Sequence, residues 1–188
     1  MKEMYSHSTT DSAETRIDWA EWLAEFGPQL LLYARQQCRR DADAEDVLQE
    51  ALMQLVHAVS MGSFTGTREQ MCAYAYTAIR HLAADRGRRE QVRHNYANSQ
   101  QEILREGDEE TPWLNSSADD EYLRNRLERA LRKLKPEFAE VVVLHIWGEH
   151  TFQEIAEITG NKLSTVTSRY RYALSDMRKD LESDPIER

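Results

Sequence analysis

The chain has 188 residues, a net charge of −9, 40% hydrophobic and 30% charged residues, which is the composition of one soluble domain or two small ones. It contains no run of about 18 apolar residues, so no membrane insertion is expected, and the opening MKEMYSHSTTDSAE lacks the apolar core of a signal peptide. Cys38 and Cys72 stand alone, which suits a reducing cytoplasm; without a CxxC pair or a Cys/His cluster at zinc spacing, no metal or other cofactor is expected.

Seven glycines and four prolines leave little room for β-turns, and no segment alternates with period two. The fold class expected is all-α, as two small helical bundles joined by a flexible acidic linker. The first helix spans residues 19–39, with Trp19, Trp22, Leu23, Phe26, Leu30, Leu31 and Ala34 on its apolar side and a bend or short break at Gly27-Pro28. In DADAEDVLQEALMQLVHAV, Asp43 can cap and Asp46 completes a box-like start. Val47, Leu48, Ala51, Leu52, Leu55, Val56 and Val59 then form one apolar face. After the loop MGSFTGTRE, the helix MCAYAYTAIRHLAADRGRRE buries Ala75, Ala78, Ile79 and Leu82.

Residues 95–121 show no sustained periodicity and carry eight acidic groups against one basic, the signature of a flexible tether. Leu123, Leu127, Ala130, Leu131 and Leu134 mark the next helix, which ends before Lys135-Pro136. Pro136 suits the first turn of PEFAEVVVLHIW, which stops at Gly148. The resulting division is 15–94, a linker over 95–121, and 122–183.

Within TFQEIAEITGNKLSTVTSRYRY, Thr151 and Glu154 form a capping box and Gly160 supplies the left-handed exit from a short helix carrying Phe152, Ile155, Ala156 and Thr159 inward. Ser164 caps a second helix with Leu163, Val166, Tyr170, Ala173 and Leu174 inside. Its outer face carries Thr165, Ser168, Arg169 and Tyr172, short donors and a cation of the kind that base edges and phosphates accept. This is a helix-turn-helix pattern, although an αα-hairpin of a plain bundle reads the same way. The negative total charge opposes nucleic acid, yet its distribution does not: residues 71–94 carry five basic and two acidic groups, while acid dominates residues 1–70 and 95–121.

Three stretches in order, EFGPQLLLYAR with DADAEDVLQEALMQLVHA, AYAYTAIRHLAADRGRRE, and LERALRKLKPEFAEVVVLHIWGEHTFQEIAEITG through STVTSRYRYAL, resemble the extracytoplasmic-function (ECF) sigma factors of bacterial RNA polymerase. The resemblance implies a cytoplasmic, non-enzymatic initiation factor with no catalytic residues. Its first domain (sigma domain two) would grip core RNA polymerase and melt the −10 promoter element, and its second (sigma domain four) would read the −35 element. Asp46, Gln49 and Glu50 match the family's DxxQE contact with the clamp coiled coil of the polymerase, with Met53 on the same stripe; from the residues alone that stripe reads first as a solvated helix face, and the resemblance makes it an interface. The resemblance extends the polymerase contact to the flap and allows an anti-sigma factor as a further partner.

Thr77, Arg80, His81 and Arg88 share a face of their helix, with Arg89 adjacent, and arginines with a small polar group there suit phosphates and an opened base. In the family this helix meets the −10 element. Tyr74 stands where tryptophan is usual and His81 where asparagine is usual. In the second domain the Leu-Pro-x-x-x-Arg opening appears as Leu134 to Ala139 without the arginine. TVTSRYRYAL fits TVxSRxxRA except that Tyr172 takes the second basic position, so the −35 contacts implied are Ser164, Thr165, Thr167, Ser168, Arg169 and Tyr172. Two other readings compete: a sigma-like adaptor that sequesters an anti-sigma factor, and an ordinary helix-turn-helix regulator, which would dimerise on a palindromic site. An enzyme would need a phosphate loop, nucleophile motif or metal cluster, none of which is written here.

Overall fold

The structure, a computed structural model, describes residues 17–38, 40–97 and 121–183. Its elements are α1 (Trp19–Gln37), α2 (Asp41–Ser60), α3 (Arg68–Ala97), α4 (Glu121–Lys133), α5 (Pro136–Ile146), α6 (Phe152–Thr159) and α7 (Leu163–Ser183). Every element among the described residues is helical, as the missing period-two patterns require. The tether assigned to 95–121 falls outside the described residues over 98–120. At its edges α3 runs on through residues 95–97, and Glu121 already opens α4.

The first three helices pack mutually, and α7 gathers α4, α5 and α6. Asp18 starts α1 by accepting the amides of Ala20 and Glu21 at 3.0 Å. The break expected at Gly27-Pro28 does not occur, and α1 is continuous. Proline deprives the Ala24 carbonyl of its helical amide, but both residues are exposed and water can take its place. Trp22, Leu30 and Ala34 are buried as expected, whereas Leu23 is exposed, and Leu32 and Tyr33 are buried although they lie off the expected stripe. The reason is a second packing partner: α1 touches α2 and α3 on one side and α5 on another.

The start of α2 also differs. The helix begins at Asp41, its N-cap Arg40 makes no side-chain cap, and Asp43 lies two residues inside. Asp43 is buried because it is paired: Arg40 donates to it at 2.7 Å, and Arg86 of α3 stands 3.6 Å away. Val47, Ala51 and Leu55 form the buried ridge that this ion pair positions against α3. Val56, at 40% exposure, lies outside the expected face.

In the second unit, Leu131, Val141, Leu144, Ile155 and Val166 are essentially sealed from water. Truncating any of the leucines or isoleucine among them to alanine would cost about 2–5 kcal/mol through lost transfer energy and the cavity left behind. Of the inner face expected for α7, Val166 and Ala173 are buried but Leu163 and Leu174 are exposed, and Met177 fills the core one turn further on.

The bundles are not held apart. α5 lies against α1, and α6 lies against α3, so the two DNA-facing helices have a defined separation in this arrangement.

Candidate nucleic-acid interface

The outer face of α2 presents Gln49, Glu50 and Met53 to solvent, with Met53 65% exposed. Leu48 and Leu52 of α2 and Leu31 of α1 floor a shallow groove beside them, rimmed by Glu45 and His57. An apolar strip bordered by acid suits a partner surface that is itself apolar and basic. Asp46 is on the same helix face, but Arg86 Nη2 donates to its carboxylate at 2.9 Å. Since Arg86 also donates to the Asp43 backbone carbonyl at 3.1 Å, it ties α3 to the first turn of α2. Asp46 is therefore engaged within the fold, whereas Glu50 makes no such tie among the described residues.

Along α3, His81, Arg88 and Arg89 are exposed. Thr77 is half-buried and its hydroxyl donates back to the Ala73 carbonyl at 3.0 Å. Arg88 is ion-paired with Asp85 one turn earlier. Before this helix, Gly62 adopts φ +67°, which residues with a side chain rarely adopt. The turn it makes lets Ser63 and Phe64 donate to the Ala58 carbonyl. Phe64 then meets Tyr74 edge-on, with ring centroids 5.4 Å apart. Tyr74 thus braces the loop, and Tyr76 is fully buried.

Arg80 departs from that solvent-facing row. Its Nε donates to Glu140 of α5 at 3.0 Å, and the pair is 34% and 7% exposed at the two side chains.

The helix-turn-helix forms as the capping chemistry dictates. Glu154 Oε2 accepts from the Thr151 amide at 2.8 Å while the Glu154 amide donates to the Thr151 hydroxyl. Those bonds to the backbone and side chain of Thr151 hold the Glu154 carboxyl below its usual range. Gly160 has φ +67° and closes α6. His145 Nδ1 donates to the His150 carbonyl at 2.8 Å, and its ring stacks on Phe152 at 4.4 Å and meets Tyr170 edge-on at 4.8 Å. This aromatic cluster sets the angle between α6 and α7.

Ser164 is not the cap of α7: the helix already includes Leu163, so Ser164 occupies its first turn, exposed. Its neighbours on the outer face are Ser168, also exposed, and Thr165, Thr167 and Arg169, half-buried. Thr167 and Ser168 donate to the carbonyls of Leu163 and Ser164 at 2.9 and 2.8 Å, leaving hydroxyl lone pairs turned outward. Tyr172 is 63% exposed and stacks on Phe138 of α5 at 6.4 Å. The α7 face is therefore one continuous surface, while the −10 candidates are divided between the exposed row of α3 and the seam where Arg80 lies.

Residues 22–93 match the family described as Sigma-70 region 2, and residues 124–177 match Sigma-70, region 4. These matches cover about two thirds of the chain in the order that the two helical units follow. The chain belongs to the ECF sigma factors. It is similar to the RNA polymerase sigma factor SigV of Bacillus subtilis (strain 168), 26% identical over 144 residues that cover 77% of this chain and 79% of that protein. Its fold matches that of the sigma factor RpoE from Bartonella quintana, solved in complex with the anti-sigma factor NepR, with a TM-score of 0.62 at 20% identity over 89% of this chain and 99% of the other. As an ECF sigma factor the chain binds core RNA polymerase and promoter DNA and directs transcription initiation.

Sequence reasoning overlooked Glu140, Tyr33 and His150, and counted Arg86 only among the basic DNA-facing residues, not as a tie to α2. Glu140 had left a local signal, since it is an acid between Ala139 and Val141 inside an otherwise apolar run. Tyr33 and Arg86 take their partners from far away in sequence, which no local pattern names, and His150 has a distant ring partner in Tyr76 besides its local one in Glu154.

Proposed function

We propose that this ECF sigma factor divides its work between residues 15–94, which hold core polymerase and the −10 element, and residues 122–183, which read the −35 element, with 95–121 as the linker. Its role is positional and not catalytic, and it acts in the cytoplasm, where polymerase and promoters meet. The observation that carries this division is the separation of the two exposed faces: Gln49, Glu50 and Met53 on α2, against Ser164, Thr165, Thr167, Ser168, Arg169 and Tyr172 on α7. One face suits a basic protein groove, and the other suits a major groove.

Asp46, Gln49, Glu50 and Met53 take the clamp coiled coil, and the second unit takes the flap. Thr77, Arg80, His81, Arg88 and Arg89 take the −10 strand, with Arg88 and Arg89 on the backbone and Arg80 and His81 nearer the opened bases. RpoE of Bartonella quintana is held by an anti-sigma factor; a corresponding partner of this chain would act by covering one of these faces.

The test is capture by core polymerase followed by run-off transcription from genomic fragments. Capture of the chain and initiation at a defined set of start sites is the expected result. Capture without any start sites would favour the sigma-like adaptor, and a dimer bound to a palindrome without polymerase would favour the ordinary regulator.

A further inference from the structure

We propose that Glu140 is the keystone of an intramolecular clasp, which holds the second helical unit against Arg80 of α3 in the free chain and gives Arg80 up to DNA only when the two units part. Three donors from two helices of the first unit converge on one oxygen of the second. Tyr33 Oη of α1 stands 2.9 Å from Glu140 Oε1, Gln37 Nε2 of α1 3.0 Å, and Arg80 Nε of α3 3.0 Å. Beside them Gln36 Nε2 donates to the Pro136 carbonyl at 3.1 Å.

The other end of the seam is aromatic and close. Tyr76 of α3 meets His150 edge-on at 4.9 Å, and a side chain at Gly148 would bring a Cβ to 3.1 Å from the Tyr76 hydroxyl and 2.7 Å from the Leu144 carbonyl. Glycine there is what admits Tyr76.

The chemistry of the seam makes it reversible. A buried ion pair gains little over its desolvation, and on separation Glu140, Arg80, Tyr33 and Gln37 all recover water. The Tyr76 hydroxyl and His150 Nε2 are buried without a hydrogen-bond partner among the described residues, a cost that opening removes. A seam held by aliphatic packing would lack these releases. The closed seam also excludes DNA directly, because a DNA strand approaching Arg80 finds its guanidinium engaged by Glu140 and meets that carboxylate's like charge. A partner that binds only the separated units, as core polymerase would, then shifts the population toward the form in which Arg80 is available.

This inference rests on the assignment of Arg80 to the −10 strand, so its test reads the clasp and the DNA contact separately. Donor and acceptor dyes are placed at Ala20→Cys on α1 and Ser175→Cys on α7, in the full chain with Cys38 and Cys72 replaced by alanine. Energy transfer is measured for the reference chain, for Glu140→Ala, and for Tyr33→Phe, which removes one donor but keeps the buried ring. Anisotropy then follows each chain on labelled single-stranded DNA covering the −10 region of a start site mapped by run-off transcription.

Glu140→Ala should lower energy transfer and bind that strand about tenfold more tightly, the gain available if roughly one free chain in ten is open beforehand. Tyr33→Phe should change both in the same direction by less. Unchanged transfer in both variants overturns the clasp. Lowered transfer with unaltered strand affinity supports the clasp and overturns the −10 assignment of Arg80.

Discussion

His150 shows how one side chain can carry the pH dependence of the whole chain. It is buried where α6 begins, edge-on to Tyr76, with Glu154 Oε2 3.8 Å from its Nδ1. Burial holds its pKa below the ordinary 6.5, and the nearby Glu154 only partly opposes this. The unfolded chain therefore binds this proton more readily than the folded one, and stability rises with pH between the depressed value and 6.5. Melting temperature should fall as pH is lowered through 6.5, and His150→Phe, which keeps the ring and cannot titrate, should flatten that slope. Circular dichroism melts across the range check this; equal slopes would place the pH dependence elsewhere. The loss due to Glu154 belongs to a lower window, because its carboxyl stays ionised to below 4.5.

Arg169 makes the second prediction at the residue scale. Half-buried on the outer face of α7, it is clear of the buried Val166. A good bidentate base contact is worth about 1–3 kcal/mol, so Arg169→Ala should relax selectivity at one or two base pairs of the −35 element while the fold persists. Selection of bound sites by the reconstituted holoenzyme reads this, and an unaltered profile would remove Arg169 from base contact.

Among the elements, α2 separates a partner contact from a fold contact. Glu50→Lys should weaken capture by core polymerase with melting temperature nearly unchanged, since Glu50 stands exposed beside the apolar groove. Asp46→Lys should lower both, because it also sets a lysine against Arg86, which bridges Asp46 and Asp43. If the two variants gave the same pair of changes, Asp46 and Glu50 would have the same role.

The elements also show what was legible in the sequence. The capping box of α6, its Gly160 exit and Pro136 at the start of α5 depend on neighbours within four residues, and these were read correctly. Asp43 and Ser164 were misread as caps because a short polar residue near a helix start has the same local pattern whether it caps or pairs at a distance. Asp43 pairs with its neighbour Arg40 and with Arg86 on α3, 43 residues away. Tyr33 escaped the single-face reading for a related reason: α1 is covered from two sides, and the second cover, α5, comes from the other half of the chain.

For the whole molecule, binding to duplex promoter DNA should be weak and nonspecific in the free chain and tight in the holoenzyme. A net charge of −9 repels DNA at long range. The separation between α3 and α7 is fixed in the closed form, as α5 and α6 lie on α1 and α3, and Arg80 is engaged by Glu140. A flexible tether alone would leave the separation unfixed and impose an entropic penalty on binding both elements. The packed arrangement replaces that penalty with the cost of parting the units, and anchoring both units on polymerase would supply it. Fluorescence anisotropy at physiological salt distinguishes the outcomes. Tight, sequence-specific duplex binding by the isolated chain would show that neither charge nor packing restrains it, and that polymerase is not needed to present the two DNA-facing helices together.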